Sequence, residues 1–508
     1  QATTVNGPRQ DGGPTSWQAA IDLTAAADAS RVNDSYREFM VEFGDMAMAY
    51  QKGHGDQMVT VTDELTGVTL DGFSDLVGVV NPPVRNEQPH ENLVKAPTCP
   101  GGVSRPCPEG ISADDAGLMT FNYRSEPIAL RVADRDPLQG EPHQAGGEAG
   151  DLSHAYRSDV VRAIPELNTQ PGFYPELTPG HLPGDPFTPL MRVFEGDKVQ
   201  IRQLVGAQEE GHNFNMNGIR WLFDPSWRNS GYRSNQMLGI SEHFEFEVAP
   251  MQAVKGGSTS EDHLITPGTS IDNLWTGTWG LLRVYADPSS TTNLWPLPNN
   301  NDGKSPAFVN PTEFQGVCPS GGTRNRPAVY NPVAAPVRNF SILAVLARDV
   351  LPQGTLVYNS RGETLHDPSA ILYVQKGDLD KKGKLKAGLK VEPLVLRVNA
   401  GDCIKVTLES RVSNPPDPDG WSTYPMIVDG FNANDVHPSG TVGLHPSLLE
   451  YDMFGSDGMN VGMNPVQTTT SGATPAKYLW YAGKGTICLD RYTIEEFPEC
   501  FPGGKQVP

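Results

Sequence analysis

The sequence predicts an all-β fold of tandem β-sandwiches connected by long irregular loops. It contains 53 glycines and 45 prolines among 508 residues, and only 19% of its residues are charged. This composition is typical of chains with many turns and few long amphipathic helices. A strand-turn-strand pattern also occurs twice, and a chain of this length exceeds what one hydrophobic core accommodates. We therefore expect at least two sandwich domains.

The repeated pattern lies at residues 190–204 (LMRVFEGDKVQIRQL) and 394–408 (LVLRVNAGDCIKVTL). In both copies a Gly-Asp pair marks a tight turn, and apolar and polar residues alternate on either side as in half-buried strands. Further short strands and a Gly-rich end follow each copy. The repeat predicts two homologous antiparallel Greek-key sandwiches, at 185–290 and 340–508, of which the second reads as incomplete.

The composition of the remaining segments indicates which of them are linkers and which contain strands and loops. Residues 1–35 are polar and read as an arm or linker, residues 36–184 as an irregular segment rich in strands and loops, and residues 291–339 as a linker. Within the second segment, residues 36–50 fit both helical and strand spacing, and we favour a strand.

The net charge of −21 argues against nucleic-acid binding, because Lys and Arg capture the phosphate backbone. An acidic surface is suited to cations instead. No run of about 20 apolar residues is present, so no membrane-spanning helix is expected. Because Gln1 is neither Met nor part of a signal peptide, the start of the chain reads as processed.

The six cysteines lack the Cys-x-x-Cys spacing of zinc sites, and their even number indicates disulfides in an oxidising compartment. We therefore expect an extracellular or periplasmic location. Cys99 and Cys107 flank a short Pro/Gly-rich loop and are predicted to pair. The other four, Cys318, Cys403, Cys488 and Cys500, allow three connectivities that the sequence leaves open.

Several stretches in both predicted sandwiches resemble the cupredoxin domains of large bacterial multicopper oxidases, including manganese-oxidase-like proteins. In the first they are residues 195–202, 212–218, 240–244 and 275–284, and in the second 401–402, 443–446, 451–452, 457–458, 460–462 and 478–483. The resemblance implies cupredoxin-like sandwiches and a copper cofactor. It also implies one-electron oxidation of a metal ion or a phenol, coupled to the reduction of oxygen to water.

The chain departs from the copper-binding pattern of that family. Where the family reads His-Pro-x-His-x-His-Gly, residues 212–218 read HNFNMNG, so that Asn215 and Asn217 replace two of three expected ligands. After His445, Ser447 replaces the second His of a pair. The Cys-His pair of a blue copper centre has no counterpart near residues 275–284, and Asp490 and Tyr492 stand where another His pair is expected.

Three histidines remain as candidate copper ligands, because imidazole nitrogen suits copper. They are His212, His243 and His445, and each is also consistent with an ordinary core or surface histidine. His243 lies on the polar face of an alternating strand predicted at residues 241–248. Calcium is a second candidate, since residues 299–303 and 417–420 are dense in oxygen donors, although plain turns explain both segments as well.

Two functions fit these observations. In the first, the chain is part of an oligomeric multicopper-oxidase-like assembly, and most copper ligands come from another chain or from the rest of the same precursor. In the second, it is a non-catalytic cupredoxin scaffold of an extracellular or envelope assembly. In both, the isolated chain holds no complete copper centre.

Overall fold

The computed structural model describes a defined set of residues. These are residues 2–5, 18–27, 29, 32, 34–43, 50–51, 58–62, 69–73, 77–78, 152–159, 182, 184–186, 190–206, 211–227, 230–248, 259–267, 279–286, 294–298, 300, 318, 335–358, 365–413 and 439–482.

Almost all regular structure in these residues is β-strand. The first part contains β1 (Ala2–Val5), β2 (Gln18–Asp22), β3 (Tyr36–Phe43), β4 (Tyr50–Gln51), β5 (Met58–Thr62), β6 (Thr69–Phe73) and β7 (Val77–Gly78). The middle part contains β8 (Met191–Phe194), β9 (Val199–Val205), β10 (His212–Met216), β11 (Trp221–Leu222), β12 (Tyr232–Arg233), β13 (Asn235–Leu238), β14 (His243–Val248), β15 (Ser260–Thr266) and β16 (Gly280–Tyr285).

The last part contains β17 (Val337–Leu346), β18 (Leu356–Tyr358), β19 (Leu365–Asp367), β20 (Ile371–Gln375), β21 (Cys403–Ser410), β22 (Glu450–Tyr451) and β23 (Ala476–Tyr481). The helical segments that the described residues define in full are the single-turn α1 (Ala347–Val350) and two 3₁₀ turns, Leu152–His154 and Lys376–Asp378. The predicted all-β class and its low helix content are thus confirmed. In the described part of the chain, no helix has the length and apolar character needed to cross a membrane.

The first sandwich consists of two sheets over a shared core. One sheet has the order β1-β2-β3-β9-β14-β11-β12, and the other has the order β13-β10-β15-β16-β8. Phe39 and Phe246 from the first sheet pack with Phe214 and Leu282 from the second in one buried cluster. Strands far apart in sequence are therefore neighbours, and apolar residues at alternate positions fill the space between the sheets.

The second unit is built on one five-stranded sheet with the order β20-β17-β21-β23-β22. The second half of β17 is buried on both faces, because Ile342 and Leu346 belong to one apolar cluster and Leu343 and Val345 to another. A strand covered on both faces reads in sequence as a continuous apolar run, as SILAVL does.

The two units repeat the same sheet. The order β2-β3-β9-β14-β11 in the first corresponds to β20-β17-β21-β23-β22 in the second. In each, one pair is parallel, β3 with β9 and β17 with β21. The register is also the same, since Arg37 lies opposite Val199, two residues after Asp197, and Arg338 lies opposite Ile404, two residues after Asp402.

The Gly-Asp turns fasten these parallel pairs. Asp197 Oδ2 accepts hydrogen bonds from the backbone N of Phe194 at 2.8 Å and from Arg37 Nε at 2.9 Å. Asp402 Oδ2 accepts from the backbone N of Asn399 at 2.9 Å and from Arg338 Nε at 2.8 Å. The preceding glycines, at 196 and 401, have φ of 85° and 89°, which favours Gly at both positions.

The prediction of purely antiparallel sandwiches is wrong at three strand pairs, because β3–β9, β16–β8 and β17–β21 are parallel. The physical reason is the Gly-Asp turn. In the first copy it carries the chain from β8 in one sheet to β9 in the other, so it does not form a hairpin. In the second copy, residues 391–400 are not assigned as a strand, although their apolar alternation predicts one.

Residues 1–35, expected to form an arm or linker, contribute β1 and β2 to the edge of the seven-stranded sheet. The strand favoured within residues 36–50 is present as β3. The domain boundaries themselves stay a prediction.

One disulfide joins Cys318 to Cys403, with a Cα–Cα separation of 5.7 Å. It selects one of the pairings that the sequence leaves open and ties residue 318 to the start of β21. The predicted Cys99–Cys107 pair, and Cys488 and Cys500, lie outside the described residues.

We predict that replacing Asp197 by Ala lowers the free energy of unfolding by about 3–5 kcal/mol, because Arg37 is completely buried and loses its carboxylate partner. Urea denaturation measures this loss. The matched change, Asp402→Ala, should have a smaller effect, since Arg338 is 48% exposed and regains water. Equal losses in the two variants would contradict the role given to burial.

Candidate functional site

A small polar cleft lies where the first sandwich meets the second unit. It is lined by residues 215–220 at the end of β10, by residues 445–449, and by Ser234 and Tyr451. The structure therefore brings together Asn215, Asn217, His445 and Ser447, which are four of the positions at which the family resemblance leads us to expect copper ligands.

Asp457 is the carboxylate behind this cleft, and its side chain is completely buried. Asn217 Nδ2 lies 3.5 Å from Asp457 Oδ2 and 3.4 Å from Met459 Sδ. His445 Nδ1 lies 2.9 Å from the backbone O of Asp457 and 3.2 Å from its Oδ1. One residue of the second unit thus contacts both the first sandwich and the only one of the three candidate ligands that lines the cleft.

Local hydrogen bonds fix the position of Asp457. The side-chain Oε1 of Gln467 accepts from the backbone N of Asp457 at 2.7 Å and from that of Gly458 at 3.2 Å. Gly458 has φ of 77°, and a Cβ there would lie 2.0 Å from the backbone O of Leu444. Glycine is required at this close approach, which holds the Asp457 loop against the segment that carries His445.

Asp457 also sets the protonation of His445. Burial disfavours the imidazolium, but the hydrogen bond and negative charge of Asp457 outweigh burial and raise the pKa of His445 above its ordinary value of 6.5. Tyr451 packs edge-on against the His445 ring, with centroids 6.0 Å apart. Burial, followed by the charge of Asp457, raises the pKa of Tyr451 well above its usual range, so its hydroxyl stays protonated.

His263 on β15 extends this chain of polar contacts into the first sandwich. Its Nδ1 lies 2.9 Å from the backbone O of Asn217, and its Nε2 lies 3.3 Å from Glu261 Oε1. Both partners are acceptors only, so hydrogen bonds to both require an imidazolium. Burial opposes the charge, but Glu261 and the Asn217 carbonyl outweigh it and raise the pKa of His263.

A second buried contact joins the two units beside the cleft. The backbone N of Asp262 donates to Asn464 Oδ1 at 3.0 Å, and Asn464 Nδ2 donates to the backbone O of Asp262 at 2.7 Å. Arg283 donates to both Asp262 and Asp185 from a position that is 2% exposed. The polar contacts between Asn217 and Asp457 therefore lie in an interface that the hydrogen bonds between Asp262 and Asn464 also stabilise.

The three candidate copper ligands lie in different surroundings. His212 is a buried core residue of β10 whose ring packs edge-on against Phe43, with centroids 5.7 Å apart. His243 lies on the exposed face of β14, as the alternation predicts. Only His445 lines the cleft, and its side chain is 25% exposed. Copper binding by any of them remains a prediction.

The residues at the cleft do not fit a copper centre of the family's kind. Asn215, Asn217 and Ser447 offer neutral amide and hydroxyl groups where copper prefers imidazole or thiolate. The Nδ1 atom of His445 is already hydrogen-bonded to the backbone O of Asp457. In the part of the chain that the structure describes, no group of three or more His, Cys, Asp or Glu side chains could hold a metal ion.

The calcium candidates gain no support. Asn300, within residues 299–303, donates its amide to Asp197 Oδ1 at 2.8 Å and to the backbone O of Glu195 at 2.9 Å. Its Nδ2 thus serves the Gly-Asp turn as a donor, and residues 299 and 301–303 lie outside the described part of the chain. Residues 417–420 lie outside the described part.

Sequence reasoning missed Asp457 and His263 as site residues. Asp457 precedes a glycine in a loop, which reads as a turn, and His263 lies in the strand SEDHLIT without a paired ligand motif. The spacing of the degenerate motif does find Asn215, Asn217 and Ser447. No local pattern signals a carboxylate that acts 240 residues away from Asn217.

Comparisons with known proteins give similarity to solved structures alone, since no protein-family profile and no curated protein matches the sequence. McoA multicopper oxidase from Aquifex aeolicus is 16% identical, over 19% of this chain and 22% of that chain, with a TM-score of 0.16. Blue Copper Oxidase from Nitrosomonas europaea is 12% identical, over 58% and 66%, with a TM-score of 0.16.

The laccase from Botrytis aclada is 11% identical, over 44% of this chain and 37% of that chain, also with a TM-score of 0.16. A match to another multicopper oxidase spans 32% of that protein's length. This chain thus covers less than two thirds of these proteins. Structural similarity at this level adds nothing to the functional argument, which rests on the residues of the cleft.

We predict that stability falls as pH rises from about 6 to 9. A histidine whose folded pKa is raised stabilises the fold fully below its unfolded pKa, and this contribution is lost as pH rises through the folded pKa. The midpoint of thermal unfolding, measured across this range, should fall. In His263→Gln, which stays neutral, the slope should be shallower, and an unchanged slope would contradict the imidazolium.

Proposed function

We propose that this chain is a non-catalytic cupredoxin-like scaffold, in which a hydrogen-bonded polar lock occupies the place of a copper cluster. The polar lock consists of Asn217, His263, His445 and Asp457, together with Glu261. The observation that carries the proposal is the pairing of Asn217 and His445 with one buried carboxylate. A metal ion between two domains joins them through its ligands. In this proposal, contacts between side chains join the two units at the corresponding positions.

Burial supports a structural role for the polar lock. Asp457 is 0% exposed and His263 is 7% exposed, so reactants have no direct access to either side chain. A buried charge is tolerated only when it is paired, and each charged member of the lock has a partner of opposite charge or a carbonyl oxygen. Such a network favours one arrangement of the two units over others.

The proposed setting is an extracellular or periplasmic assembly. The Cys318–Cys403 disulfide supports an oxidising compartment. The net charge of −21 supports a soluble surface without nucleic-acid partners. We further propose that the chain works as part of an oligomer, together with another chain or with the rest of its precursor.

A second candidate is favoured by the position of His445. This residue lines the open cleft at the first place of the degenerate pair, with its Nδ1 turned to Asp457 and its other ring edge away from it. In this alternative the chain belongs to an oxidoreductase that oxidises a metal ion or a phenol, and other polypeptide segments complete the copper set.

Copper loading separates the two candidates. The purified chain is incubated with excess copper(II), freed of unbound metal by gel filtration, and analysed for copper per chain. We expect far less than one equivalent, because amide and hydroxyl groups are poor substitutes for imidazole. His445→Gln is the matched variant and should leave the copper content unchanged.

Stoichiometric copper that is lost in His445→Gln would overturn the scaffold proposal and support the oxidoreductase. Copper that is retained equally by both proteins, without a blue absorption band, would indicate binding at surface carboxylates and leave the polar lock as proposed.

A further inference from the structure

A short segment of the irregular region lies between the two units. It consists of residues 152–158 (LSHAYRS), which begin with the 3₁₀ turn Leu152–His154. The backbone N of Arg157 donates to the backbone O of His154 at 3.0 Å, so the segment continues as a second turn. The residues of this segment that are buried are His154, Ala155, Arg157 and Ser158. A segment this short has no core of its own, so residues of the two units bury it.

The second unit holds the backbone of this segment. The backbone N of Ser158 donates to the backbone O of Gly462 at 3.1 Å, and the backbone N of Gly462 donates to the backbone O of Tyr156 at 2.9 Å. Asn460 Nδ2 donates to the backbone O of Ser153 at 2.9 Å. These bonds pair peptide groups that would cost free energy if they were buried without partners.

The first unit holds the side chains of the segment. The ring of Tyr156 packs edge-on against Trp279, with centroids 5.2 Å apart. Ala155 lies in one buried apolar cluster with Trp279 and Leu281 of the first unit and Val461 of the second. The segment therefore completes a small core to which both units contribute.

A buried ion cluster of the first unit holds the end of the segment. Arg283 Nη2 donates to Ser158 Oγ at 3.2 Å, while the same guanidinium binds Asp185 and Asp262. The backbone of Gly184 approaches Ser158 so closely that a Cβ at Gly184 would lie 2.2 Å from the backbone O of Ser158. Glycine is required at this contact, because any side chain would displace the segment.

We propose that the two units together form a peptide-binding surface whose partner is residues 152–158 of the same chain, and that this strap couples the unfolding of one unit to that of the other. Because the strap contacts both units, unfolding of either unit also removes its contacts with the other. The strap shares no residue with the polar lock, so either proposal can fail while the other stands.

The test measures the coupling directly by hydrogen exchange with mass spectrometry on the full chain at increasing urea concentrations. It compares β16 of the first unit with β21 of the second. In the wild-type protein we expect both strands to lose protection at the same urea concentration. In Gly184→Ala the added methyl displaces the strap, and the two midpoints should separate by about 1 M urea.

Two control variants separate coupling from ordinary stability. Gly377→Ala is the matched change, because a Cβ there meets no atom within 4 Å, and it should leave both midpoints unchanged. Ile201→Val removes a methylene from the core of the first unit. It should lower both midpoints together, since the strap still joins the units.

A second strap variant keeps the proposal falsifiable if Gly184→Ala fails to fold. Tyr156→Ala removes the contact with Trp279 without adding an atom, and it should also separate the two midpoints. Midpoints that stay together in both strap variants would overturn the proposal. So would midpoints that already differ in the wild-type protein and are unchanged in the variants.

Discussion

The aspartate of the Gly-Asp turn is the constraint on which both units depend. Asp197 fixes its own turn through Phe194 N and holds Arg37 of the neighbouring parallel strand, and Asp402 repeats this arrangement with Asn399 N and Arg338. A parallel pair between segments distant in sequence has no connecting hairpin to set its register. The Arg–Asp contact sets it in both units, and the five strands of each repeated sheet follow in the same order.

On this frame, the segments after β9 and after residue 439 meet at the cleft. Asn217 and His445 belong to different units, and both contact one buried carboxylate, that of Asp457. The resemblance to multicopper oxidases predicts which positions converge, and the structure brings four of them together. What differs is the chemistry, because the amide of Asn217 contacts the carboxylate of Asp457 where an imidazole is expected to bind copper.

The sequence predicts those strands and turns that depend on local patterns of residues. Alternation predicts β14 with His243 outside and Phe246 inside. The Gly-Asp pairs predict two tight turns, and the structure gives both glycines a positive φ. It does not predict the parallel pairs, since Arg37 and Asp197 are 160 residues apart. It also does not reveal Asp457 or His263, whose roles arise only from tertiary contacts. The alternation of residues 394–398 predicts a strand whose neighbour the described chain does not supply.

The most direct test of the account is the stability of Asp457→Ala in the presence of a metal chelator. If the buried carboxylate holds the cleft, the variant should lose about 1–3 kcal/mol of unfolding free energy, with or without chelator, because the buried Asn217 amide loses its carboxylate partner while His445 keeps the backbone O of residue 457. The exposed change Asp349→Asn is the control and should have little effect. A wild-type protein that is destabilised by the chelator, together with an Asp457→Ala variant as stable as the wild type, would contradict the account.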